Sequence, residues 1–367
     1  MCSGFGTVVI WGVGLIGGSI GMALRQRGLA DEVIGIGRAG SAGVPEAVRL
    51  GAVDRMVTDP AAALARADLV ILATPVQAMI DLAPQAAPFL RPGSIVTDVA
   101  SVKAAVVAAW ERHLPDGVAF VGGHPMFGRE RSGVANASAD LIPGCRWVLT
   151  PGERAAVMPV GLGREAGTWV GTQPGSPGRE RGARAGAPCD PRREPGLSVG
   201  GTHSDGVSAG TGARPLAPAV NALERVRDLV LALGAEPVVM SPEQHDFRVA
   251  GASHLPQLVA TALAMSALRF DEAHPGTLAL AGGGFRDTTR IADSPAGLWH
   301  EIWAHNRPAL QEAVGAFRAA LAELEEAIAA GDAGALAALF EQAHTARRRA
   351  RGRAASGAGV AAPQSCR

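Results

Sequence analysis

The 367 residues contain no tyrosine, and aromatic side chains make up only 4% of the chain. No function follows from that gap, which an alanine- and arginine-rich composition can produce by codon bias. The scarcity of cysteine says more. Cys2, Cys145, Cys189 and Cys366 are scattered without a CxxC pair, which argues against a zinc site and a disulfide framework and for a reducing compartment, the cytoplasm. No metal is expected. Net charge is lacking as well: 34 lysines and arginines balance 34 aspartates and glutamates, so no overall field draws the chain to nucleic acid or an acidic membrane. No uncharged apolar run reaches membrane-spanning length, and the apolar start from Val8 to Ile16 is broken by glycines and lacks a basic leader. The expected partner is a small molecule.

What is present is a chain with 47% hydrophobic residues, long enough to bury two cores. Short β-branched runs at residues 7–11, 33–36, 69–73, 95–99, 120–121 and 147–149 alternate with helical patterns at 19–27, 45–50 and 103–113. Such alternation predicts an α/β Rossmann-type doubly wound parallel sheet with helices on both faces. Between residues 152 and 218 the pattern dissolves into glycine, proline, arginine and serine. That composition is too poor in apolar residues to offset the entropy of ordering, and predicts a disordered surface insertion in which Cys189 and His203 are passengers. A helix at 219–233, closed by Gly234, and a strand at 236–240 complete a dinucleotide-binding domain over residues 1–240.

From Ser241 onward the patterns are helical, with apolar stripes at 257–269, 298–304 and 308–330. An all-α substrate and dimerisation domain over 241–345 follows, and stripes broader than one helix pair can cover imply a homodimer. Residues 346–367 carry Arg347, Arg348, Arg349, Arg351 and Arg353, read as a solvated, disordered basic tail rather than a nucleic-acid arm.

Gly12-Val13-Gly14-Leu15-Ile16-Gly17 matches GxGxxG, but 48 glycines in 367 residues produce about 0.8 chance matches. A second match, Gly35 to Gly40, shows how little the string means alone. Position separates them: the first follows the opening strand and leads into a helix, where bare backbone can approach a pyrophosphate at the helix N-terminus. Gly12, Gly14, Leu15, Ile16 and Gly17 are therefore the candidate cofactor loop, with Thr74 and Pro75 after the third predicted strand as further candidates. At the end of the second strand, where an acid would bind the free ribose 2′-hydroxyl of NAD, the chain has Gly37 and Arg38. A guanidinium there favours a 2′-phosphate, and NADP is the expected cofactor, ahead of NAD. The alternative is that Arg38 stacks on adenine and both are accepted.

Four further strings carry chemistry: Thr97-Asp98-Val99-Ala100-Ser101-Val102-Lys103, Gly122-Gly123-His124-Pro125-Met126, Ser253-His254-Leu255-Pro256, and Gly284-Phe285-Arg286-Asp287-Thr288-Thr289-Arg290. The first two fall at strand carboxyl ends, where open parallel sheets bind ligands, so Ser101 and His124 belong beside the nicotinamide. Together with Gly14 to Ser19, these strings resemble the prephenate and arogenate dehydrogenase family over most of the chain outside the insertion and tail. The resemblance implies a nucleotide-binding domain followed by a helical dimerisation domain, and oxidative decarboxylation in tyrosine biosynthesis. It implies that His124 accepts a hydrogen bond from the ring 4-hydroxyl, that Ser101 orients this hydroxyl, that Arg290 holds a substrate carboxylate, and that His254 and Trp299 belong to the substrate pocket. Trp299 tilts the substrate towards prephenate. No recognisable domain follows the helical one, so no fused mutase or regulatory module is expected.

The chemistry asks for these residue types. A neutral imidazole can take the hydroxyl proton as hydride leaves, and a planar guanidinium binds both oxygens of a carboxylate. Plainer readings stand beside these. Asp287, Arg286 and Arg290 could form a structural ion cluster. His245 reads as a solvated or capping residue at a helix start, and Trp303 as part of an apolar helix face. Other two-domain dehydrogenases, of the β-hydroxyacid or imine-reducing type, and a non-catalytic cofactor-sensing protein are the rival functions.

Overall fold

The computed structural model describes residues 4–38, 40, 43–128, 132–155 and 222–356. Most of the predicted insertion, with Cys189 and His203, lies outside the described residues, as does the end of the predicted tail.

Eight strands form one sheet. The chain opens with β1 (Phe5–Trp11), α1 (Leu15–Gln26), β2 (Ala30–Ile36), α2 (Gly43–Arg49), β3 (Arg55–Val57), α3 (Ala61–Leu64), β4 (Leu69–Leu72) and α4 (Val76–Ala86). It continues with β5 (Ile95–Asp98), α5 (Ala104–His113), β6 (Ala119–Pro125), β7 (Arg146–Pro151), α6 (Ala222–Ala232) and β8 (Glu236–Val239). The strand order is β3-β2-β1-β4-β5-β6-β7-β8. Strand order reverses beside β1, which has β2 on one side and β4 on the other, so the crevice at their carboxyl ends is the place where this topology binds ligands.

The central strands read as continuous apolar runs because both faces are covered. Val8, Val9 and Ile10 of β1 and all four residues of β4 are buried. Helix α1 buries Gly17 to Leu24 against them and stops at Gly28, whose φ of +62° a side chain disfavours. On the opposite half of the sheet, Trp110 of α5 is fully buried, stacks on Phe120 at 5.8 Å and donates its indole N–H to Met79 O of α4 at 3.0 Å. The doubly wound, parallel-dominated sheet agrees with the expectation, with one departure. The sheet is not wholly parallel: β7 runs antiparallel to β6, with His124 opposite Val148, and β8 pairs parallel to β7. The short β3, α3 and α4 have no counterpart in the pattern reading.

The rest of the described chain is helical: α7 (Pro242–Val249), α8 (Leu255–Ala273), α9 (Gly283–Thr289), α10 (Ala296–His305), α11 (Arg307–Ala330) and α12 (Ala333–Ser356). Helix α7 starts sharply, with Pro242 in its first turn and a capping box between Ser241 and Gln244. A π-turn at Ala250–His254 joins it to α8, with the Leu255 N–H reaching back to Ala250 O. Pro256, lacking an N–H, leaves no ordinary helical bond to make there. The arginine run predicted as a disordered tail begins on a helix instead: α12 continues past Thr345 to Ser356. Alanine and arginine are strong helix formers, and Arg348 reaches Thr345 Oγ1 at 2.9 Å and Glu341 at 3.7 Å. Among the described residues no helix is long and apolar enough to cross a membrane.

Candidate active site

The glycine loop lies at the reversal point of the sheet, and its three glycines serve different ends. Gly12 has φ +99°, and a Cβ there would stand 2.6 Å from Ala73 O and 3.0 Å from Thr74 N, so the turn after β1 packs directly on the end of β4. A Cβ on Gly17 would overlap Gly12 O, which brings α1 close against the strand. Gly14 faces open space, with no atom within 4 Å of its would-be Cβ. It is also the N-cap of α1 and offers no side-chain cap, so the first N–H groups of Leu15, Ile16 and Gly17 point out of the helix end. Beside them the buried Thr74 Oγ1 has no hydrogen-bond partner, and Pro75 leads into α4 as its N-cap. A bare anion-accepting helix end with an orphaned hydroxyl fits the pyrophosphate of a dinucleotide. Arg38 is exposed just beyond β2. At Gly37 a Cβ would meet the flexible end of Met56, Cε at 2.8 Å, and Val44 Cγ2 at 3.0 Å, so a side chain there needs Met56 to shift.

At the carboxyl ends of β5 and β6 the main chain before His124 is gripped by two buried side chains. Asp98 Oδ1 accepts the Gly123 N–H at 3.0 Å, and Lys103 Nζ donates to Gly123 O at 2.7 Å. Lys103 and Asp98 are fully buried and paired with each other. Burial pulls the Lys103 ammonium towards losing its proton, and the Asp98 carboxylate opposes this. Removing either partner leaves the other buried and unpaired, at a cost of roughly 3–5 kcal/mol. A side chain at position 123 would strike Asp98 O and come within 3.0 Å of Trp147 Nε1. Glycine there lets the three strands close around the site.

His124 itself is buried, and its Nδ1 lies 2.8 Å from Nε2 of His245. His245 is not solvated, contrary to the sequence expectation. It is fully buried, and its Nδ1 is 2.7 Å from Asp246 Oδ1. The same Asp246 carboxylate accepts the Lys103 N–H at 2.7 Å and the Ala104 N–H at 2.9 Å. Asp246 thus caps α5 from another helix, since Lys103, the N-cap residue of α5, supplies no side-chain cap of its own. Burial, then the neighbouring His245, Lys103 and His254, hold the His124 imidazole well below its usual value and therefore neutral at pH 7.

Asn306 extends the cluster. Its Nδ2 donates to Asp246 O at 2.7 Å and lies 3.1 Å from His254 Nδ1. His254 is fully buried, meets Trp299 edge to face at 6.0 Å, and leaves Nε2 without a hydrogen-bond partner. Burial lowers it to about 4; Asp246 and the Ser101 backbone pull the other way, and His245 lowers it further. The indole N–H of Trp299 is likewise buried and unpaired. Trp303 packs 6.1 Å from Trp299 and against the core, in keeping with an apolar helix face.

His124, His254 and Trp299 are thus tied into one network through His245, Asp246 and Asn306, and the half-buried Ser101 adjoins it through its backbone. Arg290 is exposed in the turn after α9, which Gln257 of α8 anchors through a 2.9 Å bond to Ile291 O. Arg286 donates to Ala281 O at 3.2 Å, and Asp287 forms no ion pair among the described residues. Sequence reasoning missed His245, Asp246 and Asn306. The one signal available was the adjacent His-Asp pair inside a well-capped helix.

Two family models match the chain in this order: prephenate dehydrogenase, nucleotide-binding domain, over residues 20–159, and prephenate dehydrogenase, dimerization domain, over residues 241–342. The chain is 29% identical over 302 residues to the prephenate dehydrogenase of Bacillus subtilis, a match covering 82% of this chain and 64% of that protein, just under two thirds of its length. It is 27% identical to the cyclohexadienyl dehydrogenase of Zymomonas mobilis, over 94% of this chain and 95% of the relative. Among solved structures, the prephenate dehydrogenase of Aquifex aeolicus in complex with hydroxyphenyl propionate and NAD+ superposes with a TM-score of 0.71 at 26% identity, covering 94% and 98% of the two chains. The arogenate dehydrogenase of Synechocystis does so with a TM-score of 0.65 at 25% identity, covering 94% and 99%. With both domains matched in sequence and the whole architecture matched in space, this chain belongs to the prephenate and arogenate dehydrogenase family.

Proposed function

We propose that the chain oxidatively decarboxylates a 4-hydroxycyclohexadienyl carboxylate, prephenate ahead of arogenate, using NADP ahead of NAD. The observation that carries this reading is the buried, neutral His124 at the carboxyl end of β6, on the ligand-binding edge of a sheet whose glycine loop fits a dinucleotide. The cofactor, held by Gly12, Gly14, Leu15, Ile16, Gly17, Thr74 and Pro75, supplies a hydride acceptor.

The His124 imidazole takes the proton of the ring hydroxyl as the hydride departs from the same carbon. Ser101 orients that hydroxyl. Departure of CO2 leaves its bonding pair in the ring, which becomes aromatic, and the proton returns to the phenolic oxygen. Charge is balanced within the step, and this chain's part is positioning, proton transfer and exclusion of water. Arg290 holds a carboxylate of the substrate. The unpaired donors of His254 and Trp299 suit the oxygen atoms of its side chain. Arg38, exposed just beyond β2 and in no ion pair among the described residues, supports the choice of a 2′-phosphate.

Helices α8 and α11 leave Met265, Leu268, Phe270, Leu321 and Ile328 exposed, which supports a homodimer through the helical domain. Incubating purified protein with prephenate or arogenate, and NADP+ or NAD+, tests the reading by the absorbance of reduced nicotinamide. Turnover fastest with prephenate and NADP+ is expected; no reduction with either substrate contradicts it.

A further inference from the structure

The Asp246, His245 and His124 side chains form a line of hydrogen bonds whose polarity can be worked out from its buried end. Both oxygens of the Asp246 carboxylate are engaged as acceptors by main-chain N–H groups, those of Lys103 and Ala104. Toward His245 it can only accept as well, so His245 carries a proton on Nδ1. A neutral His245 then has a bare Nε2, and the 2.8 Å contact is completed only if His124 donates from Nδ1. Lys103, Asp98 and His254 are the other ionisable groups around the pair, and none of them bonds directly to the ring nitrogens of His124.

We propose that Asp246, acting through His245, fixes His124 as the Nδ1–H tautomer, so that its Nε2 is the atom that receives the substrate's hydroxyl proton. This rests on His124 being the base of the proposed reaction, and deepens it by naming the atom and two positioning residues. In the step, the O–H bond of the substrate breaks and an N–H bond forms at Nε2. The hydride leaves the adjacent carbon with its electron pair for the oxidised nicotinamide. The resulting His124 imidazolium keeps its Nδ1–H bond to His245, and its charge faces a chain that ends on the Asp246 carboxylate. When CO2 departs, Nε2 returns the proton to the phenolic oxygen and the relay is reset. The opposite polarity has a definite consequence: one further proton on the neutral pair makes His245 a donor at Nε2, turns Nδ1 of His124 into an acceptor, and leaves its Nε2–H unable to accept.

Ring-nitrogen NMR of protein labelled with 15N-histidine reads the tautomer in the absence of substrate, with His124 assigned by the signals lost in His124→Asn. The proposal expects a pyrrole-like Nδ1 and a pyridine-like Nε2; a proton on Nε2 overturns it even if the enzyme turns over. Asp246→Asn presents an amide that can donate to His245 and reverse the chain, and in serine hydrolases the equivalent change costs about 10⁴ in kcat. Here kcat should fall by roughly 10²–10⁴ with the KM of substrate and cofactor held, and the His124 nitrogen signals should exchange character. His245→Gln, whose carbonyl can still accept from Nδ1, should retain at least roughly tenfold more turnover than His245→Leu. Equal rates for these two, or unchanged kcat and signals in Asp246→Asn, overturn the proposal. A correct tautomer in a protein that oxidises neither prephenate nor arogenate contradicts the proposed function and leaves this inference standing.

Discussion

His124 and His245 stand 121 positions apart in the chain and meet ring to ring, with Nδ1 of one 2.8 Å from Nε2 of the other. The first comes from a strand of the sheet and the second from the first helix of the following domain. The base of the proposed reaction is therefore assembled by the docking of the two halves, and Asp246 reinforces that docking by capping α5.

The glycine loop separates stability from binding. Gly14→Ala adds a methyl group into open space, so its melting temperature should match the parent's while cofactor KM rises at least roughly tenfold, about 1.4 kcal/mol. Gly12→Ala forces a side chain into a backbone at φ +99° and against Ala73 O, and should lower the melting temperature, with a penalty of about 1–3 kcal/mol. Thermal unfolding alongside cofactor titration checks both.

Cofactor choice turns on Arg38. Arg38→Ala should lower kcat/KM for NADP about 10- to 100-fold, the worth of one charge-assisted contact, while leaving NAD nearly unchanged. An unchanged ratio between the two cofactors returns Arg38 to a stacking role.

Arg290→Gln should raise the substrate KM about 10- to 100-fold with a smaller change in kcat, because a carboxylate clamp acts in the ground state as well as in the transition state. Initial rates across substrate concentration decide this. A KM equal to the parent's removes Arg290 from the pocket.

His254 makes stability depend on pH. Its folded value of about 4 lies below the usual 6.5 because it is buried, so the unfolded chain binds the proton more readily. The stabilisation is complete above pH 6.5, declines as pH falls and is lost through about 4, with a total near 3 kcal/mol. His124, lowered for the same reason, acts in the same direction. Denaturant unfolding from pH 7 to 4 should show this decline, and His254→Asn should flatten it.

How far the sequence reached follows from the range of the interactions involved. The glycine loop, β1, β2, β4 and β5 were readable because local periodicity and glycine chemistry decide them. The Gly-Gly-His-Pro string was readable because a strand end fixes its address. β3, with three residues, and α3, with four, are too short to show a period. The antiparallel β7 follows from pairing with β6, which no single strand announces. From sequence His245 reads as a solvated or capping residue, because its partner His124 is brought to it only by the fold. The arginines after Thr345 looked solvated, and those with described side chains are largely exposed, yet helix propensity carries the backbone on to Ser356.

The central claim is that a neutral His124 couples hydride loss to loss of CO2. The direct measurement is simultaneous release of CO2 and formation of reduced nicotinamide from prephenate, in the parent protein and in His124→Asn. The account predicts equal amounts of the two products in the parent, and both falling together by roughly 10²–10⁴ in the variant while cofactor binding persists. CO2 released without reduction, or a variant as fast as the parent, contradicts it.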